Sequence, residues 1–449
     1  MKNTLLFLCL VYTNLLAAQI SLEEQISTRL VNLHDVSYSN ENFEGFEQIK
    51  QAIGDAEILM LGEQSHGEGT TYETKIKLIK YLHQEMGFEI LAFESGFYEC
   101  HKAWKLIEEG HDVRDALGRS IFDLWSVVEE FKPLVYYIEK ELKNGTPLMI
   151  SGFDNQLLDK LGTNYFVKDL TSYINSFQEA AVYGEELEEL QKIFNHIKNG
   201  DLKRIKKKEA IATIAFLNKI EVLIKAKQVN DLSSFWLQSV KNLKSFISDL
   251  KLDTDYRDEL MSDNLIWLKE KYPNKKIICW GATSHFLYNS SEIRMKSKAM
   301  QVLAANYYKD HTMMGDYIKE KYGDKVYTVG FTAYEGDYRL FGSKAINPPL
   351  ENSLELLIGN AAADNYFLPL KGLSLEGYLS RPLGNFYMKT DISKVMDGVI
   401  FNRKMIRPYF DWDFYAYLNP DYKYLTRKID RFKKNQTIRR RAENQNIRP

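Results

Sequence analysis

The chain contains little cysteine and little proline, and neither sign of charge is in strong excess. Three cysteines in 449 residues exclude a small domain held together by disulfides, and ten prolines exclude a proline-rich or collagen-like repeat. The 59 Lys and Arg residues nearly balance the 61 Asp and Glu residues, which argues against a nucleic-acid partner bound through its phosphates. A hydrophobic content of 45% is instead typical of a globular protein. The length suggests about two or three packed units.

Only the N-terminus carries a run of apolar residues as long as a targeting signal. The run extends from Thr4 to Leu16, follows a basic residue and ends before Ala17 and Ala18. This order is typical of a secretory signal peptide, so residues 1–18 are predicted to be removed and the protein to be periplasmic or extracellular. A buried N-terminal helix is the alternative. The run is too short for a bilayer, which needs roughly 20 apolar residues, and no integral membrane segment is expected after cleavage.

The opposite end of the chain is basic. Residues 421–449 contain ten Lys or Arg and three acidic residues, so the rest of the chain is mildly acidic. We predict that this segment is a peripheral, frayed tail, with surface association as a lesser alternative.

Short apolar runs recur along the rest of the chain and predict buried strands. The first two flank 71–86, where apolar residues recur at helical spacing, and strand–helix–strand within about 35 residues is the βαβ pattern. The predicted fold class is therefore α/β, with a mostly parallel sheet flanked by helices. The six runs are Ile58–Leu61, Ile90–Phe93, Leu148–Ile150, Ile277–Trp280, Val326–Val329 and Gly398–Phe401.

Between the third and fourth runs the sequence becomes helical in character. Apolar residues such as Leu187, Leu190 and Ile193 recur on one helix face among many Glu and Lys residues. We therefore predict a helical insertion or lid at 164–268, within an α/β domain made of 19–163 and 269–420.

Polar residues follow several predicted strands at the point where each strand ends. Glu63 and His66 follow the first strand, Glu94 the second, Asp154 the third and His285 the fourth. Because ligands bind beyond the carboxyl ends of parallel strands, these side chains are expected at one edge of the sheet.

These residue types suit activation of a water molecule. A carboxylate beside an imidazole fixes its tautomer and raises its basicity, so Glu63 and His66 could act as a general-base pair. Glu94 could assist His66 or the water, or could form a structural ion pair with Lys75. His285 could bind an oxyanion, donate a proton or ligate a metal. The alternative for the first pair is that Glu63 caps a helix and His66 packs in the core.

Several familiar catalytic motifs are absent. The sequence has no Gly-x-Ser-x-Gly, no HExxH, no phosphate-binding GxxxxGK[ST] loop and no CxxC pair. Hydrolysis would therefore use activated water rather than an acyl-serine. His66, His285 and Glu94 also meet the requirement of a catalytic metal site, which stays an alternative. Cys100 and Cys279 could form one disulfide after export, and the sequence leaves their pairing open.

An ordered set of segments resembles the erythromycin esterase family of hydrolases. The resemblance implies an α/β domain with a cleft, and a helical domain that forms the other wall of this cleft. It also implies that an activated water opens a macrolactone ring. No covalent intermediate, required metal or other cofactor is implied. The segments are 62–67 (Gly-Glu-Gln-Ser-His-Gly), Lys75, 87–94, 152–154, 257–261 with Asn264 and Trp267, and 280–285.

The resemblance also implies roles for single residues. His66 matches the general base, and Glu63 and Glu94 match the two catalytic carboxylates. Lys75 stands where the family usually has Arg, and His285 matches the second His of a Trp-x-His-Asn-x-His pattern. That pattern is altered here, because its first His and its Asn are replaced by Ala282 and Thr283.

Three hypotheses follow for the function. In the first, a His66-activated water opens a small-molecule ester or lactone, while His285 and Lys75 stabilise the oxyanion and Asp154, Arg257 and Trp280 bind the substrate. Inactivation of a macrolide antibiotic is one role that the resemblance allows. The second hypothesis is a metal-dependent hydrolase, and the third is a non-catalytic periplasmic binding protein. The oligomeric state is left open.

Overall fold

The computed structural model describes residues 21–177, 180–227, 230–420 and 426–446. The predicted signal peptide, 1–18, lies outside the described residues. Eleven strands are present in the described part of the chain: β1 Val31–Asn32, β2 Ile58–Glu63, β3 Phe88–Gly96, β4 Met149–Asp154, β5 Lys276–Ala282, β6 Val326–Tyr338, β7 Lys344–Ile346, β8 Asn365–Pro369, β9 Ser380–Leu383, β10 Phe386–Met388 and β11 Gly398–Met405.

Helices account for most of the remaining described chain. In chain order they are α1 Leu22–Arg29, α2 Phe46–Ile53, α3 Gly69–Met86, α4 Phe97–Glu108, α5 Val113–Gly118, α6 Asp123–Ser126, α7 Lys132–Asn144, α8 Lys160–Asn175, α9 Gly184–Lys198, α10 Lys207–Ala226, α11 Asp231–Lys251, α12 Arg257–Lys271, α13 Thr283–Phe286, α14 Lys298–Asp310, α15 Met314–Tyr322, α16 Leu354–Gly359, α17 Trp412–Leu418 and α18 Thr426–Asn446.

The main sheet confirms the predicted fold class. Its strand order is β1-β8-β11-β6-β2-β5-β3-β4, and β7 pairs with β6. The six predicted runs are the parallel strands of this sheet, β11, β6, β2, β5, β3 and β4, whereas β8, β1 and β7 add antiparallel pairs. Strands β9 and β10 form a separate antiparallel hairpin, the β9–β10 hairpin.

The parallel strands are apolar throughout because helices cover both faces of the sheet. Along β2, Leu59 and Leu61 belong to the hydrophobic cluster that includes α3 and α7. Ile58 and Met60 point the other way, into a cluster with apolar residues of α12 and α15. Successive side chains of a strand alternate between faces, so burial on both sides demands a continuous apolar run.

Five helices, α8 to α12, connect β4 to β5, and the first four have a hydrophobic cluster of their own. The cluster includes Phe166, Leu190, Leu217 and Leu243, and it joins the sheet domain through residues of α4 such as Phe97. The insertion therefore packs on the rest of the protein through α4 and through α12, whose Met261 and Leu265 are buried in the cluster with Ile58 and Met60.

The end of the chain differs from the predicted frayed tail, because 426–446 forms helix α18. Ile429 is buried in the cluster on the α3 face of the sheet, and the Phe432 ring stacks on Trp412 with 4.8 Å between centroids. Arg440 pairs with Glu129. The composition of the segment is dominated by basic residues, so it did not indicate that Ile429 and Phe432 would pack against the sheet domain.

Two other predictions concern the whole chain. None of the helices in the described ranges is long and apolar enough to cross a membrane. Cys100 and Cys279 are both buried and both free, so the disulfide that export would permit is not formed.

Candidate active site

The predicted site residues meet at the carboxyl edge of the parallel strands. The register aligns Glu63 of β2 with Ala282 of β5, and Phe93 of β3 with Trp280 of β5. Glu94 therefore lies beside Gly281, and its Oε2 accepts a hydrogen bond from the Ala282 N–H at 2.8 Å. Adjacent strand ends thus bring together groups that are far apart in sequence.

Glu63 is the centre of the first cluster. It is fully buried, and its Oε1 lies 2.8 Å from Nδ1 of His66 and 2.9 Å from the indole nitrogen of Trp125. Its Oε2 accepts from Lys75 Nζ at 2.8 Å. Three donors on one carboxylate fix its position and, through it, the orientation of the His66 ring.

The loop between β2 and α3 needs glycine to hold His66 there. Gly67 has a φ of +95°, and a Cβ at this position would lie 2.4 Å from the backbone nitrogen of Leu340. Both the left-handed conformation and the close approach exclude larger residues. The Gly67 N–H donates to the Tyr72 hydroxyl at 2.7 Å, which ties the turn to the first part of α3.

The ring of His66 is suited to accept a proton. Burial lowers its pKa, but the hydrogen bond from Glu63 and the charges of Glu63 and Glu94 outweigh burial, so that the His66 pKa is raised. The His66 side chain is 41% exposed. Since Nδ1 is bonded to Glu63, Nε2 is the nitrogen left for water or substrate.

Glu94 and Arg257 form the second cluster, together with Asp154. Arg257 Nη2 donates to Glu94 Oε1 at 2.9 Å and to Asp154 Oδ2 at 2.6 Å. Burial raises the pKa of Glu94, but the charges of His285, Arg257 and His66 lower this pKa by more than burial raises it. The resulting pKa is about 2. Glu94 is therefore an ionised carboxylate, and Arg257 is the cation that compensates it.

His285 has a carboxylate partner of its own. Its Nδ1 lies 2.8 Å from Asp258 Oδ1, and its Nε2 lies 3.2 Å from Arg257 Nη1 and 3.4 Å from Glu94 Oε1. Burial lowers the His285 pKa, and the charges of Asp258 and Glu94 raise it by more, so the net change is upward. Asp258 also accepts from the Met314 backbone N–H at 3.0 Å.

Some predicted site residues lie behind the site rather than in it. Lys75 is fully buried; its Nζ donates to Glu63 and to the Gly281 carbonyl and lies 4.7 Å from the Trp280 ring centroid. It pairs with Glu63, so the predicted alternative of an ion pair between Lys75 and Glu94 is wrong. Trp280 and Asp154 are fully buried as well. None of these three side chains can touch a substrate without rearrangement.

The alternative metal set is also not assembled. Within the described ranges, no group of three or more His, Cys, Asp or Glu side chains is arranged to hold a metal ion. The physical reason is visible for two of the predicted ligands, because Arg257 lies against both His285 and Glu94. A cation already occupies the place where the ligands would converge.

A pocket of about 400 Å³ opens beside His66, and we call it the His66 pocket. One wall is α14, and another is the β9–β10 hairpin. The insertion was expected to form the opposite wall of the cleft, but none of the described residues that line this pocket lies in 164–268. It contributes Arg257 and Asp258 behind the pocket. The pocket is lined by Gln64, Ser65, His66, Ala282, Ser284, Met295, Met300, Leu303, Ala304, Tyr307, Tyr308, Leu383, Gly384 and Phe386.

Sequence reasoning missed three residues of the site. Trp125 bonds Glu63, Asp258 bonds His285, and the Tyr307 hydroxyl lies 3.4 Å from Asp258 Oδ2. Asp258 stood in a segment that carried the resemblance, next to Arg257, and could have been weighed as a partner for a histidine. Trp125 and Tyr307 follow no predicted strand and had no such signal.

Comparison with known proteins gives this geometry a family. The family model described as erythromycin esterase matches residues 83–405, which is more than half of the chain. The chain belongs to the erythromycin esterase family. It is thus assigned to a family of hydrolases whose substrates are small molecules. The matched range contains the Glu94–Arg257–His285 cluster, whereas Glu63 and His66 precede it.

Two relatives align over most of their length. YbfO of Bacillus subtilis, whose name describes it as a hydrolase without giving a substrate, is 26% identical over 393 residues. The alignment covers 80% of this chain and 84% of YbfO. Erythromycin esterase type II of Escherichia coli is 22% identical over 412 residues, covering 81% of this chain and 93% of its own.

Solved structures share the fold. A protein described as a succinoglycan biosynthesis protein has a TM-score of 0.70 at 19% identity, covering 88% of this chain and 99% of its own. A mutant of the erythromycin esterase EreC, in its open conformation, has a TM-score of 0.65 at 14% identity, covering 84% of this chain and 98% of its own. At these identities the likeness shows the fold alone.

Proposed function

We propose that this protein hydrolyses an ester or lactone of a small molecule with a water activated by His66. The observation that carries the proposal is the pairing of His66 Nδ1 with buried Glu63 at 2.8 Å, beside a pocket that the same ring lines. An imidazole oriented by a carboxylate is a general base of the right kind for a pH near neutral. Membership of a hydrolase family agrees with this chemistry.

The proposed reaction has two steps. His66 Nε2 takes a proton from water as the water oxygen bonds to the carbonyl carbon, and the carbonyl becomes an oxyanion. The tetrahedral intermediate then collapses: the bond from carbon to the alcohol oxygen breaks, and the protonated His66 returns its proton to that oxygen. No bond to the protein forms at any point.

We assign stabilisation of the oxyanion to Arg257 rather than to Lys75 or to His285, whose two ring nitrogens already contact Asp258 and Arg257. Lys75 is fully buried behind Glu63, whereas the Arg257 side chain is 25% exposed at the strand edge. Glu94 and Asp154 hold Arg257 in place through three hydrogen bonds. A well-placed donor to an oxyanion contributes about 3–4 kcal/mol to transition-state binding.

The test is hydrolysis of a panel of 4-nitrophenyl esters, aliphatic lactones and macrolides by the purified mature chain. We expect kcat/KM of the substrates that are turned over to fall by about 10²–10⁴ in His66→Ala, the contribution of a general base. His34→Ala is the matched control, because the His34 side chain is half-exposed and pairs with Glu44 rather than with a residue of this site. Activity should survive a chelator.

Equal rates for wild type and His66→Ala would overturn the proposal. Saturable binding of a panel member without product formation would instead favour a non-catalytic binding protein, the alternative from another class. A chelator-sensitive rate that returns with one added metal would favour the metal-dependent alternative.

We also propose that the protein is exported, because residues 1–18 have the order of a signal peptide. N-terminal sequencing of the protein from a native host should then begin at Gln19. An intact N-terminus in the cytosolic fraction would contradict export without affecting the proposed chemistry.

A further inference from the structure

A second pocket of about 400 Å³ adjoins the His66 pocket. We call it the lysine pocket, and six of its lining residues define it here: Lys296, Lys344, Arg381, Asn385, Phe386 and Tyr387. Phe386 lines both pockets, and neighbouring residues of the chain line one pocket or the other. Met295 and Gly384 line the His66 pocket, whereas their neighbours Lys296 and Asn385 line the lysine pocket. The two pockets are therefore adjacent, and the wall between them contains Phe386.

The lysine pocket is positively charged. None of the described residues that line it is acidic, and neither Lys296 nor Lys344 has a carboxylate partner within the described ranges. Lys344 Nζ is instead held over aromatic rings, 4.9 Å from the Phe386 centroid and 5.5 Å from the Tyr338 centroid. Aromatic rings, rather than a carboxylate, thus hold the Lys344 ammonium group at the pocket.

The carboxylates behind the pocket do not cancel this charge. Glu355 lies behind Arg381 and accepts from its backbone N–H at 2.9 Å; burial raises its pKa more than the Arg381 charge lowers it. Glu68 bonds Asn385, and burial raises its pKa to about 8, so that this group is mostly neutral at pH 7. Both carboxyls are buried and form no contact with either lysine.

The position of the lysine pocket is fixed relative to His66. Gln64, two residues before His66, donates from Nε2 to the Arg381 carbonyl at 2.8 Å and accepts from the Gly384 N–H at 2.6 Å. The Lys296 N–H donates to the Tyr387 carbonyl at 2.8 Å. These bonds connect the catalytic loop, the β9–β10 hairpin and the segment that carries Lys296, and so fix the position of Lys296 relative to His66. Lys344 is held separately, by the pairing of β7 with β6.

We propose that the lysine pocket binds an anionic group on the substrate, so that the substrate class is an ester or lactone that carries a carboxylate, phosphate or sulfate. The proposal rests on the proposed function, since it names the substrate of the same site. The scissile bond lies at His66, the apolar part of the substrate crosses Phe386, and the anion lies between Lys296 and Lys344.

The experiment compares esters that differ only in end charge. Mono-4-nitrophenyl esters of adipic and suberic acid carry a carboxylate, and 4-nitrophenyl hexanoate and octanoate are their neutral counterparts. We expect the wild type to have a lower KM for an acid-bearing ester than for its neutral counterpart. In Lys296→Ala/Lys344→Ala that KM should rise about tenfold, the effect of losing two exposed charge contacts. The KM of the neutral esters should stay within about twofold.

The control is Lys203→Ala/Lys207→Ala, which removes the same net charge from two exposed residues of the insertion. It should leave the KM of both ester classes unchanged. Added salt should raise the KM of the acid-bearing esters in the wild type and have little effect in the Lys296→Ala/Lys344→Ala variant. A wild type without preference for the acid-bearing esters, or an equal KM change for both classes, would overturn the inference.

A binding measurement keeps the inference separate from the proposed function. The mono-4-nitroanilide of suberic acid resists hydrolysis, and calorimetry should show weaker binding of this compound to Lys296→Ala/Lys344→Ala than to wild type. If no ester is hydrolysed but this difference is found, the proposed function fails and the anion site stands. If both proteins bind the anilide equally, the anion site fails whatever the esterase result.

Discussion

His285 Nδ1 lies 2.8 Å from Asp258 Oδ1, the same distance that separates His66 Nδ1 from Glu63 Oε1. The strand edge thus carries two imidazoles, each oriented by a buried carboxylate. They differ in access, since the His66 side chain is 41% exposed and that of His285 only 8%. This difference supports a general base at His66, whereas the His285 ring is held between Asp258 and Arg257 and positions Arg257.

Glu63→Gln should shift the pH profile of hydrolysis toward acid. Glu63 raises the His66 pKa, and the base works only when neutral, so the rate of the wild type rises as pH passes this raised pKa. Removing the carboxylate lowers that pKa. We expect the acid limb of kcat/KM to move to lower pH and the plateau to fall, whereas an unmoved limb would show that Glu63 does not act on His66.

Lys75→Met should shift the same limb in the opposite direction. Lys75 Nζ offsets the negative charge of Glu63, so its loss strengthens the pull of Glu63 on the His66 proton and raises the His66 pKa. The variant also leaves a buried carboxylate without its cation. We therefore expect a loss of about 3–5 kcal/mol in the free energy of unfolding. Urea unfolding and a pH profile check the two effects separately.

If Lys75 were a donor to the oxyanion, the result would be different. The plateau of kcat would then fall by a large factor without movement of the acid limb. Lys75→Arg is the companion variant, because it keeps the positive charge beside Glu63. The buried space there is shaped for the smaller ammonium group of Lys75. The acid limb of its kcat/KM profile should lie closer to the wild-type limb than that of Lys75→Met.

Trp125→Phe isolates one hydrogen bond of the catalytic carboxylate. The Trp125 indole donates to Glu63 at 2.9 Å, whereas the Trp280 indole nitrogen, also buried, has no partner in the described part of the chain. Trp280→Phe is therefore a matched control for loss of ring volume. We expect Trp125→Phe to lower kcat about tenfold more than Trp280→Phe, and equal effects would show that the hydrogen bond is dispensable.

The sequence was sufficient to predict the six parallel strands of the sheet and the edge that carries the site, but not the antiparallel strands β1, β7 and β8. The continuous run Ile58–Leu61 reflects burial on two faces, and its ending at Glu63 reflects the strand end itself. Because parallel strands align their carboxyl ends, Glu94 and His285 could be placed near His66 without coordinates. These inferences needed only local patterns and one rule of topology.

The walls of the pocket could not be predicted in this way. Tyr307 lies on α14 and Leu383 in the β9–β10 hairpin, and both reach the site through loops whose course no local pattern encodes. Lys75 was predicted to stabilise the oxyanion because it stands where the family that the sequence resembles usually has Arg. Which side of α3 faces the core depends on Trp280 and Gly281 of a distant strand.

Glu68 provides a test of the connection between the catalytic loop and the β9–β10 hairpin. Its Oε1 accepts from Asn385 Nδ2 at 3.1 Å, and its Oε2 accepts from the Thr71 hydroxyl at 3.2 Å. Burial and the charge of Glu63 raise the Glu68 pKa from 4.5 to about 8. A glutamine can make the same two contacts, with its oxygen toward Asn385 and its amide N–H toward Thr71. Glu68→Gln is thus close to a permanently neutral Glu68.

The pH dependence of unfolding should separate Glu68→Gln from wild type. As pH rises from 4.5 to 8, the unfolded chain loses the Glu68 proton while the folded protein keeps it, so this group lowers wild-type stability as pH rises. The difference in the free energy of unfolding between Glu68→Gln and wild type should therefore grow in favour of the variant over that range. We expect it to grow by at most about 1.4 kcal/mol per pH unit and to level off above pH 8. Urea unfolding at pH 5, 6, 7 and 8 measures it, with exposed Glu188→Gln as the control. Parallel curves for the two proteins would mean that Glu68 is ionised in the folded state, and its bonds to the hairpin would then be those of a charged carboxylate.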